Sequence, residues 1–410
     1  MVDGTMGTKT GLILVVVATS GLMAGCAESN DARSAPQSVV RDSAGVTIVD
    51  NEMPQPDSRL TWSISADPTL SIGTLEGEEA YQLFRVSDAM RLDDGRIVVV
   101  NGGSNEMRVF DAAGVHLASW GGEGEGPGEF TGTIEIDAWA GDSIMAFDFR
   151  QRRISVYGLD GVHGRTFALH DNEDLVAPQF RGILSNGRLL VRSGAIFTAG
   201  EIGEGLMRFD YEHATISPEG EDAQSFGAFP GTEAFVIASP GSMSVFTHPF
   251  GRNTLNTPWG DGVVVSPTDT YELKVFDAEG MPTRIIRRDH LASSPTLNQL
   301  KAYFQEQYAD SDPAERAQEM ERVSEMPLVD AFPAYADVKS DPLGHLWVQE
   351  YQLPGDEQVI WTVFDREGRV LGFVETPSDL EVFEIGADYI LGRTRDDFDV
   401  EYVQRWDLTR

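Results

Sequence analysis

The sequence predicts an all-β fold: a six-bladed β-propeller closed by an N-terminal strand, with a helical hairpin inserted between blades 4 and 5. Three observations predict it. A turn followed by an apolar β-run recurs six times, at Gly95-Arg96-Ile97, Asp142-Ser143-Ile144, Gly187-Arg188-Leu189, Gly262-Val263-Val264, Gly344-His345-Leu346 and Asp388-Tyr389-Ile390. An aromatic residue at a turn follows each run, at Phe110-Asp111, Tyr157-Gly158, Phe209-Asp210, Phe276-Asp277, Phe364-Asp365 and Trp406-Asp407. The runs lie 47, 45, 75, 82 and 44 residues apart, a base period near the length of one four-stranded blade, so the two long intervals hold insertions.

In chain order, the first element is a targeting segment, residues 1–25. Lys9 precedes an apolar run over residues 11–24, too short for a membrane span and suited to the core of a signal peptide. The run ends Leu22-Met23-Ala24-Gly25-Cys26, which resembles the bacterial lipoprotein signal box. That resemblance implies lipid attachment at Cys26, the only cysteine of the chain. Ala27 after it favours the outer membrane, on the periplasmic side. With Cys26 lipidated no disulfide can form, so the exported fold must rely on a large core and a closed ring. Residues 26–58, rich in Ser, Asn, Asp and Pro, read as a tether with one strand near Val46–Val49.

Residues 59–410 form the propeller. Leu60, Trp62 and Ile64, then Leu70 and Ile72, alternate like a strand. The last repeat is one strand short, since three residues remain after Trp406-Asp407. Pairing residues 59–73 onto that blade closes the ring. Blade 1 shows the grammar in full: Asp94-Gly95 makes a hairpin, Ile97 to Val100 is a buried β-branched run, and Asp111 to Gly114 is the next turn. Residues 217–231 read as a loop in the first insertion. The second, about residues 294–326, reads as two helices. Ser294-Pro295 opens the first, with Leu297, Leu300, Phe304 and Tyr308 on one face. Asp312-Pro313-Ala314-Glu315 restarts the second, and Ala317, Met320 and Val323 form its stripe. The hairpin is expected to lie across one end of the propeller, by packing.

The composition excludes several functions. Asp and Glu total 66 against 31 Lys and Arg, a formal charge of −35. That charge opposes nucleic acid and anionic lipid surfaces alike, so membrane contact is expected through the N-terminal lipid only. Gly121 to Gly128 is no dinucleotide fingerprint, because Pro127 interrupts it and no helix pattern follows. The seven histidines show no metal-ligand spacing and read as surface or loop residues. Asp397, Asp399 and Glu401 read as one solvated strand face.

One constellation carries chemistry. Seven residues before each hairpin turn, on the innermost strand, stand Asp88, Glu135, Phe180, Leu255, Asp337 and Glu381. Inner strands line the channel, so Asp88, Glu135, Asp337 and Glu381 are candidate ligands of a cation, with Ca²⁺ the suggested cofactor, or of an amine.

Phe110-Asp111-x-x-Gly114 followed by Trp120-Gly121-Gly122 to Gly128-Glu129-Phe130 resembles an NHL-type blade and its connecting loop. The chain from Val46 to Trp406 is similar to bacterial six-bladed propeller lipoproteins. Where NHL blades carry Asp-x-x-Asn-x-Arg, this chain has Asp148-Phe-Arg-Gln-Arg152, and the later blades lack the pattern. The resemblance implies a fold and no catalytic residues. Two functions are expected: a monomeric, non-catalytic envelope scaffold binding a protein or small molecule, or a calcium-dependent lactonase-like hydrolase acting at the channel.

Overall fold

The computed structural model describes residues 38–54, 60–172, 175–194, 203–218, 222–239, 242–309, 311–353 and 358–410. The expected signal segment, residues 1–25, and Cys26 lie outside these residues. Six antiparallel meanders follow in chain order: residues 86–121, 134–168, 179–230, 254–288, 335–376 and 381–409. All six sequence anchors fall at the start of the second strand of a blade, at Ile97–Asn101, Ser143–Asp148, Leu189–Arg192, Gly262–Pro267, Leu346–Glu350 and Tyr389–Arg395.

The turns between third and fourth strands repeat one design. Asp111 Oδ1 accepts the N–H groups of Ala113 and Val115, and Gly114 takes φ +81°. Asp277 and Asp365 make the same paired bonds, ending on Gly280 and Gly368. The side chain of Asp thus replaces strand hydrogen bonds while glycine supplies the left-handed backbone. Immediately before each turn the register slips by one, at Phe110, Phe276 and Phe364. The resulting bulge adds twist, which a blade needs to fan outward.

The core is a ring of interfaces. Each of six apolar clusters joins two neighbouring blades, as in Val98, Met107, Trp120, Ile134 and Tyr157 between blades 1 and 2, and the ring returns through Ile97, Phe110, Leu391 and Val403 between blades 6 and 1. A second tie crosses that last junction. Glu401, buried on blade 6, accepts the Val86 N–H at 2.7 Å and pairs with Arg393 and Arg395. Asp399 sits instead in a turn at φ +62°. Asp397 and Asp399 are exposed as expected, whereas Glu401 is a buried interblade clasp and not part of a solvated face.

The closure is as expected. Strands β3 (Ser63–Ile64) and β4 (Leu70–Ile72), taken in chain order after β1 and β2 below, pair antiparallel with the last strand, Glu401–Thr409. Residues 26–58 are not all tether. Strands β1 (Ser38–Ser43) and β2 (Val46–Asn51) form a hairpin through Ala44 and Gly45, both at positive φ. β2 adds in parallel to the outer strand of blade 4, Pro282–Arg288. Asn51 fixes it there, donating to the carbonyls of Arg287 and Gly368 and accepting from Val370 N–H.

Two further corrections concern the insertions. Phe209-Asp210 does not end a third strand; the third strand of blade 3 is Asp210–Ile216 and begins there. Residues 217–231 are not all loop, because Gln224–Pro230 is the fourth strand of that blade. Helices α1 (Leu297–Gln307) and α2 (Pro313–Glu325) stand between blades 4 and 5. The cap of α1 is Thr296, in a capping box with Gln299, two residues later than Ser294. The hairpin packs on a three-stranded sheet, Gly205–Met207, Ala234–Ser239 and Ser242–Thr247, which the third repeat contributes. Leu300, Phe304 and Val323 meet Phe235, Phe250 and Phe332 in one cluster. These segments leave the blades after a second or a fourth strand. Those connections lie at one end of the ring in an up-and-down meander, so the helices and small sheet form a cap on the face where inner strands begin. Among the described residues no helix is long and apolar enough to cross a membrane.

Candidate binding site at the channel mouth

Asp88, Glu135, Asp337 and Glu381 all stand near the beginning of their inner strands, Val86–Arg91, Ile134–Trp139, Tyr335–Ser340 and Glu381–Ile385, at the capped end. They do not come together as a cation cage. Among the described residues no group of three or more His, Cys, Asp or Glu is placed to hold a metal ion. Each carboxylate has its own partner instead. Asp88 accepts the N–H groups of Ala89 and Ile136, both at 2.9 Å. Glu135 faces Arg181 at 3.6 Å, Asp337 pairs with Lys339 at 3.2 Å, and Glu381 pairs with Arg393. Internal cations thus relieve the repulsion that suggested a metal.

The sequence already carried part of this. Lys339 is two residues after Asp337, hence on the same strand face, and Arg393 is the cross-strand partner of Glu381. Arg181 and Arg192 carried no such signal, because position 180 in that repeat is a phenylalanine packed in the core between blades 2 and 3.

Lys339 shows how the channel handles charge. Its side chain is only 24 % exposed. Burial pulls the ammonium down, but Asp337, Asp88 and Glu381 around it leave it raised overall. Asp88 goes the other way: burial pushes it up to about 8 against the pull of its two N–H donors, with Glu135 adding repulsion. Asp137, one pleat deeper, is pushed up to about 6, again by burial first.

Asp88 should therefore make stability pH-dependent. Its folded value lies above its unfolded value of 3.8, so the extra proton stabilises the folded state at low pH. That contribution is lost as pH rises through about 8. Burial also raises Asp137, Glu135 and Glu384, so Asp88 is read as the difference between wild type and Asp88→Asn over the interval from pH 7 to pH 9. Wild type is expected to lose about 1 kcal/mol more than Asp88→Asn across it, from ~1.4 kcal/mol per pH unit reduced for channel water. Urea midpoints of the two proteins at pH 7 and pH 9 measure this, and parallel losses would refute it.

The cations of blade 3 are the sharper feature. Arg181 and Arg192 both donate to Gln179 Oε1, each at 2.8 Å. Burial and then Arg181 pull Arg192 down to about 10. His213, cross-strand neighbour of Arg192, is fully buried, contrary to the expectation of a surface histidine. Burial, then Arg192 and Arg181, push it down to about 3, so it is a neutral imidazole. Its Nδ1 lies 3.5 Å from the Asn256 amide nitrogen on blade 4. Three buried atoms of this group have no partner: Arg192 Nε, His213 Nε2 and Asn256 Oδ1. Blades 3 and 4 thus bring guanidinium groups and unsatisfied polar atoms to the capped mouth, whereas blades 1, 2, 5 and 6 bring carboxyl groups, those of blades 5 and 6 paired with Lys339 and Arg393.

Two clefts lie nearby or opposite. One of about 480 Å³ opens between the cap and the first residues of the inner strands of blades 4 and 5, beside Leu255 and Tyr335. A larger one, about 700 Å³, is on the other face among the turns of blades 3, 4 and 5, including Asp261, Asp277 and Arg366, away from the mouth.

A family model, DUF5128, described as a 6-bladed beta-propeller, matches residues 74–176, which take in blades 1 and 2. No curated protein matches the chain by sequence. Among solved structures, a candidate exported protein of Bacteroides fragilis aligns with TM-score 0.49 and 13% identity over 88% of this chain and 99% of its own. A member of the duf4221 family from Bacteroides vulgatus aligns with TM-score 0.48 and 10% identity over 85% and 99%. A gluconolactonase of Xanthomonas campestris aligns with TM-score 0.37 and 12% identity over 80% and 87%. The six meanders, their closure and the family match together make the chain a six-bladed β-propeller.

Proposed function

We propose that the protein is a propeller of the bacterial cell envelope, anchored by lipid at Cys26, that binds a small carboxylate-bearing solute at its channel mouth without altering it chemically. One observation carries the reading: Arg181 and Arg192 converge on one amide oxygen beside three buried polar atoms without partners. Buried polar groups are nearly always satisfied, so a cluster of exceptions beside paired guanidinium groups fits an absent ligand. A carboxylate meets two guanidinium groups in a bidentate manner that few other anions match as closely.

A scaffold fits better than a hydrolase. The lactonase-like alternative needs several oxygen ligands around one calcium ion, whereas these carboxylates are each engaged by a cation or by backbone N–H groups. A histidine held near 3 is also a poor general base at neutral pH.

The mature protein should bind at least one member of a panel of amino acids, short peptides and uronic acids, with a Kd between about 1 μM and 1 mM by calorimetry. Arg181→Gln and Arg192→Gln should each weaken it at least tenfold. Binding indifferent to both substitutions would sink the reading. In cells, labelled palmitate should enter the wild type and be absent from Cys26→Ser; equal labelling would remove the anchor.

A further inference from the structure

The cleft under the cap differs from the mouth beside it. The chain carries a formal charge of −35, yet the residues lining this cleft include no Asp, Glu, Lys or Arg. Its one histidine, His248, is buried and tied at both nitrogens: Nδ1 accepts Phe250 N–H and Nε2 donates to the Pro327 carbonyl. It is therefore neutral and adds only its ring. The volume, about 480 Å³, falls within the range of sites for small ligands.

The walls combine aromatic faces with uncharged hydrogen-bonding groups. Tyr303, on α1, is 39 % exposed and rests edge-on against Phe250. Tyr351, at the end of blade 5's second strand, lies against Phe332. Tyr303 and Tyr351 both line this cleft, and burial, then Tyr303, push the Tyr351 phenol up to about 12. Gln307 is exposed one turn along α1. Asn253 accepts from Thr232 and from Thr254 N–H with its amide oxygen, so its NH₂ group is left as a donor. Amides and phenols both donate and accept, as a ligand with several hydroxyl groups requires. Aromatic rings cover its C–H faces, and charge-free walls give an ion no compensation for its lost water.

We propose that this cleft binds an uncharged sugar ring of a glycan, held between Tyr303 and Tyr351 and hydrogen-bonded by Gln307 and Asn253. The site is separate from the arginine pair, although Leu255 lines the cleft and the next residue, Asn256, belongs to the mouth. Either site can therefore fail without the other.

The test is the labelled mature protein on an array of neutral and acidic glycans, followed by calorimetry with the neutral oligosaccharide giving the strongest signal. Binding is expected on neutral glycans, at least tenfold weaker in Tyr303→Ala and severalfold weaker in Gln307→Ala. Gln307 is exposed, so Gln307→Ala should melt with wild type, whereas Tyr303→Ala gives up ring contacts with Phe250 and Phe304 and should melt only slightly lower. Arg192→Gln should change glycan affinity less than twofold. An array with no neutral glycan bound overturns the proposal. So does glycan binding that survives Tyr303→Ala and Gln307→Ala together, or that is lost in Arg192→Gln alone.

Discussion

Arg288→Ala should cost about 3–5 kcal/mol of stability, read as a lower urea midpoint at unchanged slope. Arg288 ends the outer strand of blade 4, and its side chain is 1 % exposed. It reaches Glu350 on blade 5 through two parallel bonds of 2.7 and 2.8 Å and donates to Thr362 Oγ1 at 2.9 Å. Its guanidinium lies 3.8 Å from the ring centre of Tyr271, whose hydroxyl donates to Glu350 as well. Alanine removes the guanidinium's bonds and its contact with Tyr271, and leaves a partly buried carboxylate facing only the Tyr271 and Thr362 hydroxyls. The cost comes from that orphaned charge more than from the bond itself. Replacing both partners, as Arg288→Met with Glu350→Leu, should therefore destabilise by clearly less than the sum of the two single changes. Strictly additive effects in the double-mutant cycle would show that the pair carries no coupling.

Local signals made the ring legible, and non-local ones did not. Five of the six hairpin turns hold a residue at positive φ, at Gly95, Asp142, Gly187, Gly260 and Gly344, and each third-to-fourth turn of the regular blades needs an Asp to replace strand bonds. These demands are met within five residues and so show in sequence. Phe209-Asp210 satisfied the same local grammar by coincidence. Only the pairing of Leu189 with Ile216 shows that the third strand lies further on. The strand near Val46–Val49 was legible, but its pairing with β1 and with blade 4 was hidden for a related reason. A parallel strand added at an edge has no turn joining it to its partner, so Val46–Asn51 and Pro282–Arg288 share no local mark. At the mouth, inner-strand periodicity placed four carboxylates on the right strands. Their counter-ions came from a neighbouring blade or a second strand, as Arg181 and Arg393 do. His213 is buried by Phe229 on the next strand and by blade 4, contacts that no spacing within its own strand reveals.

Leu70→Asp with Ile72→Asp should convert the protein from a monomer to self-associated species. Ile72 is 1 % exposed and packs among Leu83, Val86, Ile97, Phe110 and Val403. Leu70 lies against the Gly114 turn of blade 1, so the closing strand seals blade 6 to blade 1. Ile72→Ala alone should cost about 2–5 kcal/mol through lost burial and the cavity left behind. Two aspartates go further, because charge cannot be buried at β4 without a partner and the strand must detach. Detachment uncovers Glu401–Thr409, a nine-residue edge that a second molecule can pair with. Size-exclusion chromatography should show wild type as a monomer and the double variant as larger species. A peptide spanning residues 60–73 should reverse this by occupying the open edge in trans, whereas its Asp-substituted counterpart should not. A double variant that stays monomeric and melts with wild type would mean that blade 6 is complete without its borrowed strand.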